Sequence, residues 1–267
     1  MSRLRDADKS LHTALMLLDE KLKAIYPRWV SIQEALPDQN DGGLYICHIV
    51  CGDFGLWHDS GEERHWLKWL DDKPFTTVFV DGNHENFDRL YSNEFPVVDF
   101  HGGKAHQIRP SVYHLMRGYV FDFDGKKFFA FGGASSHDIE DGILDPADYK
   151  NMAEFKAAVR LWSGCCKSFR INHVSWWKQE LPSQDELAFG LQTLIRNKNK
   201  VDYIISHCCP QEVASLCGFR EPDVLTSWFN TVAHTVRFDR WFFGHYHDNR
   251  QVMGKFVMLY DKIERIL

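Results

Sequence analysis

Five side chains of metal-binding type stand where apolar runs give out: Asp53, Asn83, His207, His245 and His247. The first four each follow a separate stretch that reads as a buried strand, and His247 shares a loop with His245. The donors are imidazole, carboxylate and amide oxygen, without thiolate. That set suits Mn, Fe, Zn or Ni better than it suits a structural zinc–cysteine centre. Cys208 and Cys209 adjoin His207, but neighbouring cysteines chelate one ion poorly, and they are read as packing residues. In an α/β sheet, chemistry is placed at the carboxyl ends of strands, so donors far apart in sequence can meet at one edge. Glycine precedes Asp53, Asn83 and His245; lacking Cβ, it lets backbone turn sharply and come close to an ion. Asn83 sits within Asp81-Gly82-Asn83-His84-Glu85, where proton-transferring side chains crowd together. Taken alone, that segment is also an ordinary Asp-Gly-Asn turn.

The elements that must position these groups can be read from periodicity. Leu11, Ala14, Leu15, Leu18, Leu22 and Ile25 recur at helical spacing and predict a helix over 11–25, with Pro27 past its end. A strand is expected over 44–51, a helix over 61–70 with Trp66, Leu67 and Leu70 on one face, and a strand running into Asp81. This alternation is the signature of a sheet that is at least partly parallel. His48, inside the first strand, reads as a packed core histidine. The segment 87–112 reads mostly as loop. Residues 120–131 carry a hairpin signal with Asp124-Gly125 at its turn. A helix is expected over 147–162, followed by a stretch to 177 without clear period. Ser183 and Glu186 form a capping-box pattern opening a helix to about residue 197. Strands at 203–206 and 240–243, a helix over 222–236 and a closing hairpin turning at Gly254 complete the pattern.

Bulk composition narrows the partners. The chain has 267 residues, 44% hydrophobic and 25% charged, ordinary for a globular protein with a sizeable core. Its net charge of −6 disfavours a polyanion, so a nucleic-acid ligand would need a local basic patch. Seven cysteines, an odd number without Cys-x-x-Cys, suggest a reduced chain with buried thiols and a cytoplasmic setting. No apolar run approaches the roughly 20 residues that span a bilayer, so no membrane partner is expected. Composition leaves the oligomeric state open.

The ordered series Gly52-Asp53, Gly82-Asn83-His84-Glu85, His207 and Gly244-His245-Tyr246-His247, each after an apolar strand, resembles the calcineurin-like metallophosphoesterase family. The likeness extends over about 44–267. It is nearest a bacterial and phage branch, through Gly132-Gly133-Ala134, Trp176-Trp177 and Ser206-His207-Cys208-Cys209-Pro210. The resemblance implies an α/β fold of two packed mixed sheets flanked by helices, an α/β/β/α sandwich in one domain spanning 1–267. Within it, 1–43 would be an atypical N-terminal part and 143–200 a helical, cap-like insertion. It implies two divalent ions. Asp53 would bridge them, Asn83, His207 and His245 would hold the second, and His247 would bind the first. His84 would hydrogen-bond the phosphate or protonate the leaving oxygen. A hydroxide held by the metals would attack the phosphorus of a phosphomonoester or phosphodiester in line.

One family motif has no counterpart here. The pattern opens with Asp-x-His on the first strand, and no such triplet lies upstream of Asp53. Asp6-Ala7-Asp8 is the nearest match, with His12 further along the expected helix. A start upstream of Met1, a degenerate Asp6/Asp8 motif, or a single-ion protein would each account for this. The alternative function is accordingly a one-metal or inactive relative acting as a binding module. A nuclease is a third reading. Phe95, Phe100, Tyr149, Trp162, Trp176 and Trp177 could then stack a base, or simply pack over the core.

Overall fold

The computed structural model describes residues 47–219 and 222–266. The expected helix over 11–25 with His12, the stretch before it with Asp6 and Asp8, and the start of the expected first strand lie outside the described residues.

Two mixed sheets form the centre. The first has five strands: β1 (Cys47–Val50), β2 (Thr76–Phe79), β3 (Val97–Phe100), β4 (Gly103–Arg109) and β5 (Val112–Leu115), in the order β1-β2-β5-β4-β3. The second has six: β6 (Tyr119–Phe123), β7 (Lys126–Phe131), β10 (Tyr203–Ser206), β11 (Arg240–Phe243), β12 (Arg250–Val252) and β13 (Phe256–Met258), in the order β12-β13-β11-β10-β7-β6. A separate parallel ribbon pairs β8 (Gly142–Leu144) with β9 (Phe169–Ile171). In the first sheet β1, β2 and β5 run parallel, and in the second β7, β10, β11 and β13 do. Antiparallel hairpins close the outer parts.

Side-chain alternation explains the layering, because successive strand residues face opposite sides. Val78 and Val80, Phe128 and Ala130, Ile205, Phe242 and Val257 share one cluster drawn from both sheets. Their neighbours face outward. Phe129, Phe131, Ile204, Trp241 and Phe243 meet Leu187, Leu194, Val213, Leu225 and Phe229. Those last residues come from α4 (Gln184–Arg196), α5 (Gln211–Leu216) and α6 (Val224–Thr235). On the other side, Phe79 and Val112 meet Trp66, Leu67 and Leu70 of α1 (Gly61–Asp71) and Phe87 and Leu90 of α2 (Phe87–Leu90). Both sheets are therefore flanked by helices. No described helix is long and apolar enough to cross a membrane.

Several local expectations hold. Ser183 caps α4 in a reciprocal box with Glu186, as the pattern predicts; Ser60, which no sequence pattern marks, caps α1. The hairpins at Gly125 and Gly254 turn at left-handed glycines. Others differ. The segment 87–112 is not mainly loop: it carries α2, β3 and β4. Strand β4 escapes notice because its pairing with β5 shifts register between Gln107 and Arg109, which breaks the period of two. The helix expected over 147–162 is α3 (Met152–Gly164), starting where Asn151 caps it. The stretch after α3 hides the three-residue strand β9. Helix α4, read with the insertion, packs on the second sheet. Cys208 and Cys209 are buried, whereas Cys165 and Cys166 are exposed, contrary to the expectation of buried thiols throughout. His48 is half-buried, and burial pushes its ring down to about 4.

Candidate metal and phosphoester site

Asp53 follows β1, Asn83 and His84 follow β2, His207 follows β10, and His245 follows β11. Each pair of strands is parallel and adjacent, and the loops of both sheets meet at one edge. Across that edge His207 Nε2 lies 3.1 Å from Asp53 Oδ1. The His207 and His245 rings are 5.0 Å apart, and His137 stands 5.7 Å from His245. The backbone N–H groups of Asn83 and His84 both donate to Asp53 Oδ1, each at 3.1 Å.

Glycines make this approach possible. A Cβ on Gly82 would lie 2.1 Å from Asp53 Oδ1, and one on Gly52 would lie 2.2 Å from His207 Nδ1. One on Gly244 would lie 2.9 Å from the Cys51 carbonyl oxygen. No side chain fits at those distances. Asp53, His245 and His247 themselves adopt left-handed backbone, with φ of 52°, 67° and 51°. Such conformations are costly for non-glycine residues and gather at functional sites.

One ligand atom is left over. His207 Nδ1 donates to the Cys51 carbonyl at 2.7 Å, which fixes the ring and turns Nε2 toward Asp53. Asn83 spends its amide N–H on Ser136 Oγ at 3.3 Å, leaving its carbonyl oxygen. Asn83 Oδ1 is buried without a hydrogen-bond partner, and His207 Nε2 has the Asp53 carboxylate alone. Buried polar atoms are normally satisfied, so the orphaned oxygen calls for an explanation, an ion among them. Ser136 is itself held by Glu180, through its N–H at 2.9 Å and its hydroxyl at 2.7 Å. Burial lifts the Glu180 carboxyl to about 7 against those hydrogen bonds.

The electrostatics are those of a crowded cationic and anionic edge. Burial opposes ionisation of Asp53, but His207, His84 and His245 hold its carboxyl far below the usual range. Burial pulls His207 down, and the Asp53 carboxylate outweighs it, lifting the ring to about 9. His245 is held well below its usual value by burial and by His207, so its ring is neutral and can act as a ligand. His84 is also lowered, by burial first, with Asp53 opposing and Arg170 adding to the shift. Glu85 ties the two loops together, accepting from the Phe54 N–H at 2.7 Å and the Gly82 N–H at 2.8 Å. Burial beside Asp53 and Asp81 raises its carboxyl to about 8.

The structure thus brings Asp53, Asn83, His84, His207 and His245 together. His247 is exposed, its ring 5.0 Å from that of Tyr260, and it lines the same cleft as His245. Among the described residues no group of three or more His, Cys, Asp or Glu side chains is arranged as a preformed metal cage. A cleft of about 350 Å³ adjoins the site, lined by Ser135, His137, Phe219, His245, Tyr246 and His247 among others. Sequence reasoning did not find Ser136, Glu180, Asp138 or Arg170. Arg170 lies in a stretch without period, and only Ser136 had a signal, the polar loop after Gly132-Gly133-Ala134. Of the aromatic residues weighed as base-stacking groups, Phe95 and Trp177 are buried in the cluster under α1. No family model matches the chain, and no curated protein is significantly similar to it.

Proposed function

We propose that this edge hydrolyses a phosphoester with the help of divalent cations, as a calcineurin-like metallophosphoesterase. The observation that carries the reading is the buried Asn83 Oδ1, left without a hydrogen-bond partner on a loop held against the Asp53 carboxylate, which pairs with His207 Nε2 beside the neutral His245 ring. Two mixed sheets flanked by helices are what that family's sandwich requires.

Asp53, Asn83, His207 and His245 would hold one cation, and His247 would bind a second, bridged to the first by Asp53. Bound divalent cations lower the pKa of water toward neutrality and offset charge on the phosphoryl oxygens. The protein's own residues do the rest. Gly52, Gly82 and Gly244 let the loops close on the carboxylate. The Asn83 and His84 amides fix Asp53. His84, a neutral ring at rest, offers Nε2 to a phosphoryl or leaving oxygen, and an approaching anion favours its protonation. The adjoining cleft, at about 350 Å³, is within the size range of small-molecule sites and would take the organic part of the ester.

Manganese-loaded protein assayed with p-nitrophenyl phosphate and bis-p-nitrophenyl phosphate tests this. Turnover that falls by about a thousandfold or more in Asp53→Ala is expected, in line with loss of a major electrostatic group. Turnover no greater than that of the Asp53→Ala control overturns the hydrolase reading.

One observation favours a second reading. Among the described residues no group of three or more His, Cys, Asp or Glu side chains is arranged to hold a metal ion, which fits a one-ion or inactive relative that serves as a binding module. Such a protein would bind manganese and phosphate without turnover.

A further inference from the structure

We propose that Arg170 is a catalytic residue of this site, forming with His84 a two-donor clamp for a phosphoryl oxygen. The inference rests on the phosphoester reading above. Arg170 sits on β9, in the ribbon that faces the site from outside both sheets. It is only 8% exposed, unusual for arginine, which is rarely buried unless paired.

Its partners explain how it is aimed. Nε donates to Asp138 Oδ1 at 2.6 Å, Nη2 to Asp138 Oδ2 at 3.2 Å, and Nη1 to the Ser175 carbonyl at 3.0 Å. Asp138 thereby grips the guanidinium by its fork, a geometry that lysine cannot reproduce. The remaining Nη2 direction leads to His84 Nε2, 3.4 Å away. That contact is at the outer limit of a hydrogen bond, so little is lost when something better intervenes. An oxyanion accepting from both Nη2 and Nε2 is that better partner: it is charged, and it lets each nitrogen donate. Asp138 neutralises the arginine at rest, which keeps a buried cation tolerable before substrate arrives. The cap-like ribbon would then contribute chemistry as well as shape.

The test combines phosphate binding with kinetics. Manganese-loaded wild type, Arg170→Gln and Arg170→Lys are titrated calorimetrically with inorganic phosphate and assayed on p-nitrophenyl phosphate. Arg170→Gln should weaken phosphate binding and raise KM by about tenfold or more, the size of a lost charge-assisted hydrogen bond. Arg170→Lys should recover part of the binding, because the charge returns without the fork. Manganese affinity should stay as in wild type in both. Unchanged phosphate affinity and KM in a folded Arg170→Gln protein would overturn the clamp while leaving the hydrolase reading intact. Wild type that neither binds phosphate nor turns over substrate would overturn both. If Arg170→Gln does not fold, the arginine Nε–H resonances of wild type give the answer. The resonance missing from Arg170→Lys must shift on addition of phosphate, and one that stays put overturns the proposal.

Discussion

Asp53 and Asp81 end neighbouring strands of the same sheet, and they are completed in opposite ways. Asp81 is fully enclosed. Its Oδ1 meets His114 Nε2 at 3.1 Å, and its Oδ2 accepts from Arg117 Nε at 3.0 Å and from Arg117 Nη2. Arg117 also donates to the Gln179 carbonyl at 2.7 Å, and His114 Nδ1 faces His106 Nδ1 at 3.0 Å. Every strong polar group there has a partner, and the cation is built into the chain. Burial opposes ionisation of Asp81, yet Arg117 and His114 keep its carboxyl far below the usual range. Asp53 is 25% exposed, and its nearest cation is a histidine that must carry a proton to serve. Beside it the buried Asn83 Oδ1 goes unpartnered. The difference separates a carboxylate that holds the fold together from one arranged for a cation that comes from outside.

The comparison can be broken most forcefully at Arg117. Arg117→Met leaves Asp81 buried and charged with only His114 as its partner, and should cost about 3–5 kcal/mol in denaturant unfolding. Asp53→Asn, assayed in the presence of chelator, should cost far less. Equal losses would mean that both aspartates are structural. Next in size is Gly82→Ala, whose methyl would fall on the Asp53 carboxylate. Overpacking of this kind costs about 1–3 kcal/mol. Manganese affinity should fall with it, whereas an exposed glycine such as Gly61, with nothing near its Cβ position, should tolerate alanine.

The smallest effect concerns pH. In chelator, His207 is lifted from 6.5 to about 9 by Asp53, despite burial. A raised folded value means that the pair's contribution is full below about pH 6.5 and is lost as pH rises through 9. Asp53 is held down from 3.8, so its share is present above that pH and lost below. Thermal melts in chelator should therefore decline from pH 6.5 to 9. Manganese should abolish the decline, because proton and cation compete for the same Nε2. The Asp81 cluster, with its permanent arginine charge, should contribute no such alkaline loss.

Much of this edge was legible in the sequence because strand-end glycines and ligand types recur in order. Asp53, Asn83, His84, His207 and His245 meet as that order suggested. His247 shares the cleft with His245, and its ring lies against that of Tyr260. The groups that orient the site were illegible for a physical reason. Ser136 and Asp138 come from a loop, Glu180 from a one-turn 3-10 helix (Lys178–Glu180) and Arg170 from a three-residue strand, all too short for a period to mark a side chain. The role of Asp81 was hidden as well: its partners Arg117 and His114 come from 36 and 33 residues further along the chain. The first sheet's outer strands were lost to a bulge in β4.

Manganese titration of wild type and His207→Ala, followed by calorimetry at pH 7.5, tests the account most directly. Saturable binding in wild type that is lost or weakened at least about a hundredfold in the variant is expected for removal of a ligand. No binding in wild type, or the same binding in both proteins, would contradict it.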